Sequence, residues 1–211
     1  MYDCGEARPA AAKGDFSEDL STDVSEALVV LEQEQSGRDL TPTECHASLE
    51  RLLTGLRWLV SADGASLYLR RGQTLWLTIA QNDTLSAKLG EAEFRRRLLG
   101  QIAAVGSHSI VGQVALTGEA VNIPDLESIT AESPYRFRPA IDRTAYRYRS
   151  LLTAPIFDEV GATVGVVQLV NALDESGRPV PFGPGARAIV RQFCVKAARV
   201  IGRQGSRSHS R

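Results

Sequence analysis

Ser109 and Arg136 are the side chains best suited to hold an anion. Ser109 precedes the helical run Ile110-Val111-Gly112-Gln113. The first-turn N–H groups of a helix lack intrahelical partners, and the helix dipole favours negative charge. Ser109 and Ile110 therefore either cradle an anionic group or serve as an ordinary helix start. Arg136 offers a planar fork of donors matched to a phosphate or a carboxylate, or else it is a solvated surface arginine. Ser66 and Gln168 lie in strand-like runs. They face a pocket if those strands are central and are otherwise satisfied by neighbouring backbone. Other chemistries lack their residues. Cys4, Cys45 and Cys194 are odd in number and widely scattered, which suits neither a disulfide framework nor paired zinc ligands. His108 has no second His or Cys at metal spacing, while His46 lies in a helical pattern and His209 near the C-terminus, so no metal site is expected. The run GPGARA at 183–188 has the glycines of a dinucleotide fingerprint, but no strand precedes it and Pro184 occupies the turn. Neither Gly-Lys followed by Ser or Thr nor Gly-x-Ser-x-Gly occurs, so phosphate-loop and nucleophile-elbow enzymes are not expected.

The chain that must position these groups has 211 residues, 43 % of them hydrophobic. Setting aside its low-complexity ends, roughly 150–165 residues remain to form one core, which suits one domain. A formal net charge of −1 creates no global field for nucleic acid or an anionic membrane, so neither is an expected partner. No stretch approaches 18 uninterrupted apolar residues, and the opening MYDCGEARPAAAKGDF lacks the apolar region of a secretory signal. A cytoplasmic location is the expectation.

Residues 1–19 mix Ala, Gly, Pro, Asp and Glu without apolar periodicity and read as disordered. A helix follows from Ser21, with Val24, Ala27, Leu28 and Leu31 at helical spacing until Ser36-Gly37. The next has a fuller start signal: Thr41 as N-cap, Pro42 at the first helical position and Glu44 closing a capping box. It places Cys45, Leu49, Leu52, Leu53, Leu56, Leu59 and Val60 on one stripe, where Cys45 acts as a small hydrophobe. Asp63-Gly64 reads as turn chemistry ending the helical region. Two strands over 65–70 and 74–80 form a hairpin through Arg-Gly-Gln. Residues 83–105 allow either a short helix and a strand or a long irregular connection. Ile110 to Thr117 is a short helix between Ser109 and Gly118, and AVNIPD is a short strand. The span 126–148 is a polar connection with a helical stretch near 134–146. Residues 150–171 form a second hairpin through Asp-Glu-Val-Gly; its second strand is apolar until Gln168 and Asn171, which suggests a wet sheet end beside a small molecule. Pro179, Pro181, Gly183 and Gly185 mark a loop before a final amphipathic helix over 185–203 that carries Cys194. The order gives an α+β fold: an antiparallel sheet with terminal helices on one face and short helices and loops capping a pocket on the other. The expected divisions are 1–19, N-terminal dimerisation helices over 20–62, the sheet domain over 63–203 and an unstructured tail over 204–211.

Four blocks of this sequence resemble the GAF domain, in the branch of cyclic-nucleotide phosphodiesterases and bacterial sensor proteins. They are ASLYLRR (65–71), SIVGQVALTGEAVNIPD (109–125), SPYRFRPAIDRTAYRYRSLLTAPI (133–156) and GATVGVVQLVN (161–171). The resemblance implies a pocket whose contacts include Ser66, Ser109, Ile110, Arg136, Phe137, Asp142, Thr144, Tyr148 and Gln168, with a cyclic nucleotide or other small anion as ligand. Asp142 and Thr144 match the branch; the alternative for both is turn stabilisation. The departures are specific. Where the nucleotide-binding branch has Asn-Lys, then Phe, three residues and Asp-Glu, this chain has Asn171-Ala172 and Phe182 followed by Gly183-Pro184-Gly185 and Ala186-Arg187. The Lys and Asp thought to pair in that branch are lost together, which leaves no lone buried charge. A further Thr of the branch is Tyr148 here, bulky enough to fill the pocket.

One GAF-like family reduces free methionine sulfoxide with cysteines in the Val-Gly segment and in the connection. The matching places here, Ile110-Val111-Gly112 and 135–150, hold none, so the thiolate nucleophile is missing and no enzyme activity is expected. The expected role is a regulatory sensor in signal transduction, its ligand coupled to helix packing in a homodimer formed through the terminal helices and acting on an unidentified signalling partner. The alternative is an adaptor module with a self-filled pocket. The missing Lys and acids and Tyr148 favour the adaptor, whereas Arg136, Phe137, Asp142 and Thr144 favour a sensor with altered ligand preference.

Overall fold

Thr41 opens helix α1 (Pro42–Leu59) with both halves of the capping box in place. Its backbone N–H donates to Glu44 Oε2 at 2.8 Å, and the Glu44 N–H returns to its hydroxyl at 3.3 Å. The computed structural model describes residues 40–106, 108–137 and 146–205. The expected helix from Ser21, the N-terminal run 1–19, the tail beyond residue 205, and Asp142 and Thr144 lie outside the described residues.

Past α1 the chain does not turn at Asp63-Gly64. The turn comes earlier, at Val60-Ser61, where Ser61 takes a left-handed φ of +50°, and strand β1 (Ala62–Arg71) already includes Asp63 and Gly64. The reason lies in the pairing: Gly64 faces Asn82 of β2 (Thr74–Asn82), and a Cβ on it would sit 2.5 Å from Asn82 Nδ2. Residues 83–105 resolve into helices α2 (Asp83–Leu89) and α3 (Glu91–Leu98), hinged at Gly90, and strand β3 (Ile102–Ala104). Helix α4 (Ile110–Thr117) keeps the expected limits: Ser109 caps it and Gly118 leaves it at φ +71°. Strand β4 (Val121–Ile123) and a 3-10 turn (Leu126–Ser128) follow. The expected helical stretch near 134–146 is not helical at its described ends, 134–137 and 146. Tyr135 and Phe137, like Tyr146 and Tyr148, are spaced by two, and all four pack onto one apolar cluster around Ile110, Leu151 and Val170. That is the spacing of extended chain, not of a helix.

Strands β5 (Leu151–Phe157) and β6 (Thr163–Leu173) form the expected hairpin. The loop expected around Pro179 contains a further short strand, β7 (Pro179–Val180), paired with Ala172 and Leu173. Pro179 lacks an N–H and is tolerated there because it lies at an edge. Helix α5 (Pro184–Gly205) closes the described chain. All strands among the described residues join one antiparallel sheet in the order β3-β2-β1-β6-β5-β4, with β7 attached to β6. The α+β architecture is as expected, with β1 and β6 at its centre. On the back face α1 packs on α5 and β1, and α5 on β5 and β6. The front face carries α4 over β5 and β6, with Tyr68, Leu77, Phe94, Val114 and Val166 forming a second core between sheet and short helices.

Candidate functional site

The centre of the front face is polar because β1 and β6 each turn one polar side chain outward at the same level: Ser66 and Gln168 are directly paired. Gln168 Nε2 donates to Thr153 Oγ1 of β5 at 3.2 Å, which fixes the amide along the sheet. Two residues on from Ser66, and therefore on the same face, stands Tyr68. Its hydroxyl is pushed up to about 12, chiefly by burial and secondarily by Tyr148.

The start of α4 meets this floor. Ser109 Oγ accepts the Gly112 N–H at 3.0 Å, and Gly106 N–H donates to Gly112 O at 3.1 Å. The helix can come this close only because residue 112 has no side chain: a Cβ there would lie 2.3 Å from Ala104 O. Arg136 borders the same cavity as this helix start. Its Nη1 donates to Ser133 O at 2.8 Å and its Nη2 to Ala131 O at 2.8 Å. These bonds curl the loop around the guanidinium, which remains solvent-exposed and keeps further donors for an incoming group. That cavity measures about 330 Å³, and its lining includes Tyr68, His108, Ser109, Ile110, Arg136, Phe137 and Gln168. A smaller cavity of about 60 Å³ lies alongside, lined by Ser66, Tyr68, Asn82, Phe94, Phe137, Tyr148 and Gln168 among others. No acidic side chain lines either cavity among the described residues.

The sequence-predicted positions thus gather in two places. Ser109, Ile110, Arg136, Phe137 and Gln168 border the larger cavity; Ser66 and Tyr148, again with Phe137 and Gln168, border the smaller. Asn171 belongs to neither. The sheet end expected to be wet is instead buried, with Asn171 only 1 % exposed and in a left-handed conformation at φ +52°, which Asn tolerates better than most residues. Its Oδ1 accepts the N–H groups of Arg149 and Ser150 at 2.6 and 3.2 Å, and its Nδ2 donates to Arg147 O at 2.7 Å. Asn171 therefore sets where the connection enters β5.

Behind the smaller cavity lies a buried polar cluster that turn chemistry concealed. Tyr146 Oη donates to Asp63 Oδ2 at 2.5 Å and accepts from Asn82 Nδ2 at 2.9 Å and Asn171 Nδ2 at 3.1 Å. Burial, then the neighbouring Asp63 charge, hold the Tyr146 phenol far above its ordinary range, so it stays protonated and donates. Asp63 Oδ1 also accepts from the Thr84 hydroxyl at 2.9 Å, and its carbonyl accepts from the buried Arg57 of α1 at 3.0 Å. Asp63 and Tyr146 are 83 positions apart, so only the register of β1 against β2 and β6 could have revealed the pair. Tyr68 was legible in principle, from its alternation with Ser66.

No three His, Cys, Asp or Glu side chains converge as metal ligands among the described residues. Cys45 and Cys194 are buried, and burial pushes both thiols up, Cys194 to about 12. Neither is a thiolate nucleophile at neutral pH. No helix among the described residues is long and apolar enough to cross a membrane.

Comparison with known proteins gives a consistent result. The family model described as GAF domain matches residues 44–201. A dual 3',5'-cyclic-AMP and -GMP phosphodiesterase 11A of Takifugu rubripes is 34 % identical over 119 residues, covering 54 % of this chain and 12 % of that protein. The chain thus spans about an eighth of that relative's length. Among solved structures, the GAF domain of a phosphoenolpyruvate-protein phosphotransferase from Coxiella burnetii superposes with a TM-score of 0.62 at 17 % identity, covering 86 % of this chain and 94 % of that one. A free methionine-R-sulfoxide reductase from Neisseria meningitidis, in complex with its substrate, superposes with a TM-score of 0.60 at 16 % identity, covering 93 % and 98 %.

Proposed function

Because the chain belongs to the GAF domain family, we propose that it is a non-catalytic sensor of a small anionic ligand in intracellular signalling. One observation carries this reading: the cavity of about 330 Å³ is bordered by Ser109 at a helix start, by Arg136 and by Gln168, with no acidic side chain in its described lining. The first turn of the helix and the guanidinium fork both carry donors of the kind an oxyanion takes. Regulation rather than turnover fits the two buried, protonated thiols. Cyclic nucleotides belong to the ligand class to be tested, since the Takifugu relative is by name a cyclic-nucleotide phosphodiesterase.

Thermal unfolding in the presence of cyclic AMP, cyclic GMP, phosphate and small carboxylates tests the proposal. A ligand that binds only the folded state at about 100 times its Kd adds about 2.7 kcal/mol of apparent stability. The expected result is a raised midpoint with at least one anion, lost in Arg136→Ala. No shift with any of them rejects the sensor. It selects a second reading, an adaptor with a self-filled pocket, which the edge-on contact of Phe137 with Tyr148 at 5.2 Å favours.

Homodimerisation through the terminal helices is part of the same proposal. Trp58 on α1 and Val195 on α5 are 69 % and 51 % exposed, large apolar groups on two helices that pack together. Light scattering is expected to report a two-chain mass; a one-chain mass at every concentration removes this part.

A further inference from the structure

We propose that Tyr148 and Phe137 form a specificity-determining partition that restricts the site to compact anions without a purine-sized ring, and that Tyr146 is its positioning residue. The proposal rests on the sensor reading and names its ligand class.

The two front cavities share Tyr68, Phe137 and Gln168 as borders. They therefore adjoin, with Phe137 on their common border and Tyr148 on the wall of the smaller one alone. Phe137 meets Tyr148 edge-on at 5.2 Å between centroids and 60° between planes, and Tyr148 meets Tyr146 at 4.7 Å and 85°. Both geometries are the preferred T-shaped arrangement of aromatic quadrupoles. The series ends on an anchor: the Tyr146 hydroxyl makes one donated and two accepted bonds, to Asp63, Asn82 and Asn171. The anchoring groups come from β1, β2 and β6, so the rings are referred to the sheet and not to the loop that carries them.

The partition fixes what fits. At about 330 Å³ the open side lies at the low end of ligand pockets, with its oxyanion donors at Ser109 and Arg136. The closed side, at about 60 Å³, matches the share of about two waters and takes no ring while Tyr148 stands in place. A ligand with a phosphate or carboxylate head and a small body is held; one that must bury a fused-ring base is turned away.

The test compares two probes, inorganic phosphate and cyclic AMP, each titrated into the full chain and followed by backbone amide shifts of 110–112. Wild type is compared with Tyr148→Ala, Tyr148→Leu and Tyr146→Phe. The Leu variant retains an apolar filler in case the Ala variant does not fold, and the Phe variant retains the ring but loses the anchor. The expected result is that the ratio of the cyclic AMP Kd to the phosphate Kd falls at least tenfold in Tyr148→Ala, several-fold in Tyr148→Leu and about threefold in Tyr146→Phe. Phosphate affinity stays within about threefold throughout. A purely structural role for the rings weakens both probes together and leaves the ratio unmoved. An unmoved ratio with phosphate bound overturns the partition while the sensor stands. No binding of either probe by wild type or variants overturns the sensor reading and the ligand class together.

Discussion

The front and back of the sheet each carry a depression, and the larger is the more apolar. On the back, α5 and β5 leave a groove of about 520 Å³ lined by Leu152, Ala154, Phe157, Val190, Cys194 and Val195 among others, with Arg187 and Arg191 also on its wall. On the front, the cavity of about 330 Å³ is bordered by Ser109, His108, Arg136 and Gln168. The back groove is lined mostly by apolar side chains, whereas polar residues from a helix start, a loop and a strand border the front cavity. Volume measures what can be covered; convergent polar groups determine what can be distinguished. The two faces are also held together by partly different means. Both rely on buried apolar side chains, Leu53 and Leu152 on the back and Leu77, Phe94 and Val114 on the front, but the front adds hydrogen bonds that meet at Tyr146.

That contrast yields separable outcomes. The largest expected effect is on the back: Leu152→Ala removes a side chain only 1 % exposed and should cost about 2–5 kcal/mol by urea denaturation. It should leave phosphate-induced shifts at 110–112 unchanged, and a change there would mean the faces are not independent. Next comes Tyr146→Phe, which deprives Asp63, Asn82 and Asn171 of a partner in a buried setting and should cost about 1–3 kcal/mol. If the cost is negligible, the cluster does not hold the front. The same phenol should be visible at high pH. Tyr146 and Tyr68 both have folded-state values raised above the ordinary 10, Tyr68 to about 12. A raised group contributes stability that is whole below pH 10 and is lost as pH climbs through the folded-state value. Denaturation midpoints should therefore fall between pH 10 and 12, less steeply in Tyr146→Phe; identical slopes would remove Tyr146 from the alkaline limb. Smallest is Ser109→Ala, which removes the cap on α4 at about 1 kcal/mol and should weaken phosphate more than it destabilises the fold.

What the sequence disclosed divides along similar lines. Ser109, Gly118, Thr41 and Glu44 were legible because a cap is written within three or four residues of the helix it serves. The 150–171 hairpin was legible because its turn and its apolar run are adjacent. Asp63 was misread because an Asp-Gly pair after a helix has the local chemistry of a turn, and only a partner 83 residues away makes that carboxylate part of a strand. Asn171 was correctly singled out but wrongly given to a wet edge; its work is on the backbone of Arg147, Arg149 and Ser150. The described ends of the connection, 134–137 and 146, differ from the expected helix because their aromatics alternate by two, a period that matters only once a cluster on the front face exists to receive them.

The outermost strands of the sheet, β3 and β4, contain three residues each. A strand exposed at a sheet margin is a template on which another chain can lay its own backbone, and shortness is one of the means by which proteins refuse that invitation. With long β1 and β6 enclosed at the centre, the longest strands are hidden from cross-chain pairing.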